Sequence, residues 1–169
     1  QASVDDPVAT HQSNFIATLN LCEAMREQGV KRVVFASSAA VYGQNGEGTA
    51  IDEDTPKSPL TPYASDKLAS EYYLDFYRRQ HGLEPAIFRF FNVYGPREEH
   101  KGRMASVAYH CYQQLRRDGR VELFGEHGGF PPGGHLRDFV AVEDVARVNL
   151  HFFDHPQRSG IFNLGSGQA

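Results

Sequence analysis

Tyr63 and Lys67 stand one helical turn apart in the stretch Thr61-Pro62-Tyr63-Ala64-Ser65-Asp66-Lys67. Thr is a good helix N-cap and Pro suits the first helical position, so the spacing predicts a helix that opens at Thr61 and carries both side chains on one face. A phenol with an ordinary pKa of about 10 is a poor base at neutral pH. An ammonium one turn away and the positive end of the helix both favour the phenolate, which would let Tyr63 exchange a proton with a hydroxyl group. Taken alone, Tyr-x-x-x-Lys also describes one face of an ordinary amphipathic helix. The upstream run Val33-Val34-Phe35-Ala36-Ser37-Ser38-Ala39-Ala40-Val41-Tyr42-Gly43 adds context, because it is apolar and β-branched and then meets two hydroxyl residues. It reads as a buried parallel strand that delivers Ser38 to the carboxyl edge of a sheet, where α/β sites lie.

The elements that must hold these residues follow from periodicity. Val8, Phe15, Leu19, Cys22 and Met25 predict an amphipathic helix from about Pro7 to Gln28, closed by Gly29. A strand is expected at Arg32–Ala36, then a polar loop over 43–60. The Tyr63 helix should run to about His81, with Leu68, Tyr72 and Phe76 on its inner face and Gly82 at its end. Glu84 to Phe91 reads as the next buried strand, and the Gly95-Pro96 turn after it would hold Asn92 at the carboxyl edge of the sheet. Further on, the pattern predicts a helix over 104–117, a short strand over 121–124 and a Gly- and Pro-rich loop over 125–135. An extended segment at Arg137–Val140, a helix from Val142 to about His155 and a strand at Ile161–Leu164 complete the expectation. Strands alternating with helices imply an α/β fold with a doubly wound parallel sheet.

Composition narrows the function. The 169 residues are 40% hydrophobic and 22% charged with a net charge of -4, which argues against a nucleic-acid or other polyanionic partner. No stretch is apolar enough to span a membrane, and the first residues lack a signal-peptide pattern. Cys22 and Cys111 have neither metal nor disulfide spacing, and the eight His do not cluster, so no metal site is expected and the cytoplasm is the default compartment.

A strand-end Ser38 followed by a helical Tyr63-x-x-x-Lys67 resembles the extended short-chain dehydrogenase/reductase family of nucleotide-sugar epimerases and dehydratases. Phe91-Asn92-Val93-Tyr94-Gly95-Pro96-Arg97 and the following His100-Lys101-Gly102, together with Leu123-Phe124-Gly125, Arg137-Asp138-Phe139-Val140 and Ile161-Phe162-Asn163-Leu164-Gly165, are similar to ADP-L-glycero-D-manno-heptose 6-epimerases. The Asp52-Glu53-Asp54-Thr55-Pro56 loop, Pro62-Tyr63-Ala64 and the Tyr72-Tyr73 pair look closer to UDP-hexose 4-epimerases. The resemblance implies a Rossmann-like sheet and a cofactor, NADP or alternatively NAD, that takes hydride from a sugar carbon and returns it to the other face. Residues 1–95 would be the C-terminal half of the dinucleotide-binding domain, and 96–169 a mixed region of substrate-binding segments and returning Rossmann elements. The family's Gly-rich first loop is not found in this sequence, so the chain is expected to begin after the first four strands.

By position, the resemblance makes Ser38, Tyr63, Lys67 and Lys101 catalytic, with Lys101 a second acid/base beside other cations. It places Asn14, Ser37, Lys67, Val93 and Lys101 against the cofactor. Ser38, Asn92, Arg103, His110, Phe124, Gly125, Glu126, His127 and Arg137 would contact a nucleotide-diphosphate sugar, with the fork of Arg137 on the phosphates. A homo-oligomer is implied as well. Each assignment has a plainer rival: Lys101 in a solvated charged run, Asn92 as a turn cap, Asn14 as a surface residue, Arg137 paired with Asp138. Three functions stay open at this point: a heptose 6-epimerase, a UDP-hexose 4-epimerase, and a fused or truncated piece without catalysis.

Overall fold

The computed structural model describes residues 2–44, 50–126 and 129–168. The chain divides into two units, one of Gln1–Phe90 with Asn149–Asn163 and one of Phe91–Val148 with Leu164–Ala169.

In the first unit, α1 (Ala2–Asp5) and α2 (Pro7–His11) lead through a wide π turn, Gln12–Ile16, into α3 (Ala17–Gln28). The predicted helix therefore forms as one rod with a bulge in it. Gly29 ends it in the left-handed conformation at φ 70°, as a glycine after the last turn should. Strand β1 (Arg32–Ser38) runs two residues past its expected end, and α4 (Pro62–His81) follows a short 3-10 turn at Ala39–Tyr42. Strand β2 (Glu84–Phe90) pairs with β1 in parallel, Phe35 opposite Ile87 and Ser37 opposite Arg89. The sheet order is β1, β2, then the last strand of the chain, Gly160–Leu164.

Alternation along the strands decides which helix each side chain meets. Val33, Phe35 and Ile87 pack with Cys22 and Met25 of α3 and with Leu74 and Tyr77 of α4. Phe88 points to the other face, where its ring meets Phe152 edge-on at 4.9 Å and Phe162 at 5.9 Å. The sheet is covered on both sides, as a parallel sheet must be.

The inner face of α4 differs from expectation. Tyr72 and Phe76 are 63% and 45% exposed, and the helix buries Ala64, Asp66, Ser70, Glu71, Leu74 and Tyr77 instead. Apolar periodicity cannot credit a carboxylate with an inside position. Glu71 is drawn inward by Arg89 on β2, 2.6 Å away.

In the second unit, β3 (Asn92–Tyr94) pairs in parallel with β4 (Phe139–Ala141). Between them lie a 3-10 turn at Glu99–Met104 and α5 (Val107–Asp118), capped by the Ser106 hydroxyl. Residues 121–124, expected as a strand, run as irregular chain with Leu123 and Phe124 exposed. Their alternation is that of a strand, yet they join no ladder, and an unpaired strand is not stable. The helix α6 (Val142–Asp154) starts directly after β4, and the final strand is β5 (Gly160–Leu164). No helix among the described residues is long and apolar enough to cross a membrane.

Candidate active site

The first unit brings three of the expected residues to one edge. Thr61 caps α4 by accepting the Ala64 N–H, and Pro62 occupies the first turn, as the sequence predicts. Lys67, one turn on, donates to the carbonyl oxygen of Ala36 at 2.8 Å. Its ammonium lies 4.9 Å from the centre of the Phe35 ring and 5.7 Å from that of Tyr63. Burial disfavours the charged form and moves the Lys67 pKa below its ordinary value. Ser38 ends β1 and caps the 3-10 turn, its Oγ accepting the Ala40 N–H at 3.2 Å, so its own proton remains to be donated. Only glycine fits at 43, where φ is 69° and a Cβ would lie 1.9 Å from the Ser58 carbonyl oxygen. Asn14 sits half-buried in the π turn, a local widening that often accompanies a binding function.

Ser37 goes elsewhere. It points to the face opposite Ser38, is buried, and donates to Glu71 Oε1 at 2.5 Å. Its hydroxyl is committed to the protein interior. Glu71 also takes Nε and Nη2 of Arg89, while Nη1 of Arg89 reaches the Tyr42 hydroxyl at 2.8 Å and the Glu53 carbonyl at 3.0 Å. Tyr42 donates onward to Asn163 at 2.6 Å, and Asn163 takes hold of Glu53 and Ile51. Burial works against the charge of Arg89, but its bonds to Glu71 and Tyr42 outweigh that and raise its pKa. Burial raises that of Tyr42. The sequence reading did not single out this network. Arg89 alone within the otherwise apolar residues 85–91 is the available signal, since a buried guanidinium needs a carboxylate.

The second unit carries the remaining candidates. Both the backbone N–H and the side-chain amide of Asn92 donate to the Asp138 carbonyl, at 3.1 and 2.9 Å. Asn92 thus begins the two-stranded ladder, in which Val93 stands opposite Val140, and is not the last residue of the main sheet. Lys101 lies exposed on the 3-10 turn, 3.5 Å from Glu98. The neighbour found is a carboxylate where the sequence reading expected other cations. Glu98 is 3% exposed and accepts from the Gly95 N–H, the Ser106 N–H and the Ser106 hydroxyl. Burial opposes its charge, but these donors and Lys101 hold its pKa down to about 2. Arg103 is exposed on the same turn, and His110 is half-buried on α5.

Arg137 is exposed and does not pair with Asp138. That carboxylate instead clasps the Ser166 N–H, the Ser166 hydroxyl and the Gly167 N–H. Gly165 has no room for a side chain, since a Cβ would fall 2.4 Å from Asp138 Oδ2. Arg137 lines a hollow of about 300 Å³ with Ala108, Cys111, Leu123, Phe124 and Phe139. Mostly apolar walls, with the Arg137 guanidinium and the His135 ring among them, suit a flat ring carrying an anionic group. Gly125 and Glu126 lie exposed in the adjoining irregular chain, and His127 falls outside the described residues.

Residues 1–165 match the model of the NAD dependent epimerase/dehydratase family. An ADP-L-glycero-D-manno-heptose-6-epimerase of Pseudomonas aeruginosa is 63% identical over 158 residues, which are 94% of this chain and 47% of that protein. The UDP-glucose 4-epimerase of Thermus thermophilus, solved in complex with NAD, superposes with a TM-score of 0.82 at 38% identity, over 98% of this chain and 52% of its own. The ADP-L-glycero-D-manno-heptose-6-epimerase of Helicobacter pylori gives a TM-score of 0.74 at 32% identity, over 90% and 45%. The chain spans about half the length of the curated relatives it matches.

Proposed function

This chain belongs to the NAD dependent epimerase/dehydratase family, and from that premise we propose that the protein it builds is a nucleotide-sugar epimerase of the ADP-L-glycero-D-manno-heptose 6-epimerase kind. One observation carries the chemistry: the Lys67 ammonium, anchored on Ala36 at 2.8 Å, stands 5.7 Å from the ring centre of Tyr63. The 63% identity to the Pseudomonas enzyme supports the heptose as substrate.

The donor set fits a nicotinamide cofactor, NADP in this reading with NAD as the alternative. Among the described residues Ala36 alone accepts from Lys67, so its other N–H bonds are available to the two hydroxyls of a ribose. When bound, the nicotinamide supplies a reversible hydride acceptor. Tyr63 takes the proton of the hydroxyl as its carbon becomes a ketone, and gives a proton back when the carbonyl is reduced. Ser38 donates to the same oxygen. Lys101 serves as the proton partner for the opposite face of the ketone, which suits a carbon outside the sugar ring. The hollow beside Arg137 takes the nucleotide, with the guanidinium on the diphosphate. Two free thiols, Cys22 and Cys111, fit a cytoplasmic setting. The exposed Tyr72, Tyr73 and Phe76 on α4 fit an assembly of like chains.

A UDP-hexose 4-epimerase is the second reading, favoured by the larger TM-score of the Thermus enzyme. NMR turnover assays on the full-length protein decide between them. With ADP-heptose as substrate, inversion at the exocyclic carbon is expected, and Lys101→Ala should lower kcat by about 10²–10⁴. Inversion of a UDP-hexose alone, with Lys101→Ala fully active, overturns the heptose assignment.

A further inference from the structure

Tyr63, Lys67 and Glu71 occupy positions i, i+4 and i+8 of α4, so they follow one another along a single helix face. That face lies along the end of β1. Lys67 is bonded to the carbonyl of Ala36, and one turn later Glu71 is bonded to the hydroxyl of Ser37. Helix and strand are therefore stitched at two successive residues, and the next residue of the strand is Ser38. Arg89 stands directly opposite Ser37 in the parallel register and grips both carboxylate oxygens of Glu71 from the neighbouring strand. It also reaches Tyr42, in the turn that Ser38 caps, and the Glu53 carbonyl. The side chains of Glu71 and Arg89 are 1% and 2% exposed, out of reach of any substrate.

We propose that Ser37, Glu71 and Arg89 form a positioning device that sets the height and rotation of α4 against β1, and so the placement of Tyr63 relative to Ser38. The inference rests on the proposed epimerase reading and extends it inward from the groups that touch substrate. Rotation of a helix about its axis moves every residue of one face together, and a misplacement of about 1 Å at reacting atoms can lower a rate by about 10²-fold. A buried, hydrogen-bonded ion pair against a strand end resists that motion because its geometry has one satisfied arrangement. The device acts on kcat. It leaves KM alone, because nucleotide recognition in this reading belongs to side chains of the other unit.

The test compares full-length wild type, Tyr63→Phe, Ser37→Ala, Ser37→Thr and the double variant Glu71→Leu/Arg89→Met. Wild-type turnover that Tyr63→Phe abolishes establishes the epimerase reading first. If wild type inverts neither nucleotide sugar, that reading fails and the positioning role falls with it. Ser37→Ala should then lower kcat by about 10- to 100-fold at unchanged KM, whereas Ser37→Thr, which keeps the hydroxyl, should restore it. A role in packing alone reverses the order, since the added methyl of Thr would crowd a buried site and Ala would not. Replacing both members of a buried ion pair by apolar residues often preserves stability. The double variant should therefore melt near wild type with kcat still depressed. A kcat unchanged in Ser37→Ala overturns the inference whatever the other variants do.

Discussion

The two units use buried charge in different ways. In the first, a complete ion pair is enclosed: Glu71 and Arg89 are both buried, and their hydrogen bonds run to each other and to Ser37, Tyr42 and Glu53 of the same unit. In the second, single carboxylates serve as knots in the backbone, the buried Glu98 tying the Gly95 turn to the start of α5 and the half-buried Asp138 tying the chain after β5. The cationic and aromatic candidates around those knots, Lys101, Arg103, Phe124 and Arg137, stay exposed. A rigid strand–helix junction suits groups that must meet reacting atoms within a fraction of an ångström, and loops pinned at a few points suit groups that close on a ligand.

Breaking the enclosed pair is the most severe test of that contrast. Arg89→Met leaves the Glu71 carboxylate buried with Ser37 as its remaining charge-stabilising partner. Removing one member of a buried pair costs about 3–5 kcal/mol, because the other is left as an uncompensated charge. Urea unfolding should show that loss, and hydrogen exchange should place it in β1, β2 and α4. Normal stability would mean that the pair is not the fixed point of the first unit.

The knot at Glu98 should respond to acid on its own. Its folded pKa of about 2 lies below the ordinary 4.5. A carboxylate held down in this way contributes stability that is fully present above pH 4.5 and lost as pH falls from there towards 2. The protection factors of the Gly95 and Ser106 amides, which correct exchange for its intrinsic slowing in acid, should fall over that window in the wild type. Glu98→Gln should exchange faster at pH 6 and show no such step. An acid step of equal size in both proteins would remove Glu98 as its source.

What was legible in the sequence was local. Thr61 and Pro62 announce α4, and Gly29 and Gly82 end their helices with positive φ, because caps and terminators act within a few residues of themselves. The burial of Glu71 was not legible from α4, where a carboxylate reads as a solvent-facing residue and displaced Tyr72 and Phe76 from the inner face. Its cause lies 18 residues away on strand β2. The same limit explains 121–124, whose alternation is that of a strand but whose pairing partner no local pattern can supply. In the candidate site, Ser38, Tyr63 and Lys67 share one strand–helix junction and were readable as a motif. The neighbour of Lys101 was not, since the buried position of Glu98 depends on Ser106, eight residues on.

The mildest perturbation of stability is expected where recognition is expected to be strongest. Phe124 is 58% exposed and lines the hollow with Arg137. Truncating an exposed side chain away from caps, cores and buried charges changes stability by no more than about 0.5 kcal/mol. Phe124→Ala should therefore unfold in urea as the wild type does. The ring nevertheless offers a flat apolar face to a nucleotide base, and stacking of a base on an aromatic side chain contributes about 1–3 kcal/mol. The dissociation constant of the nucleotide, read by calorimetry, should rise by about 5- to 150-fold on that account. An unchanged affinity would move the nucleotide out of this hollow. A large loss of stability would make Phe124 a core residue, and the second unit would then resemble the first more closely than its exposed side chains suggest.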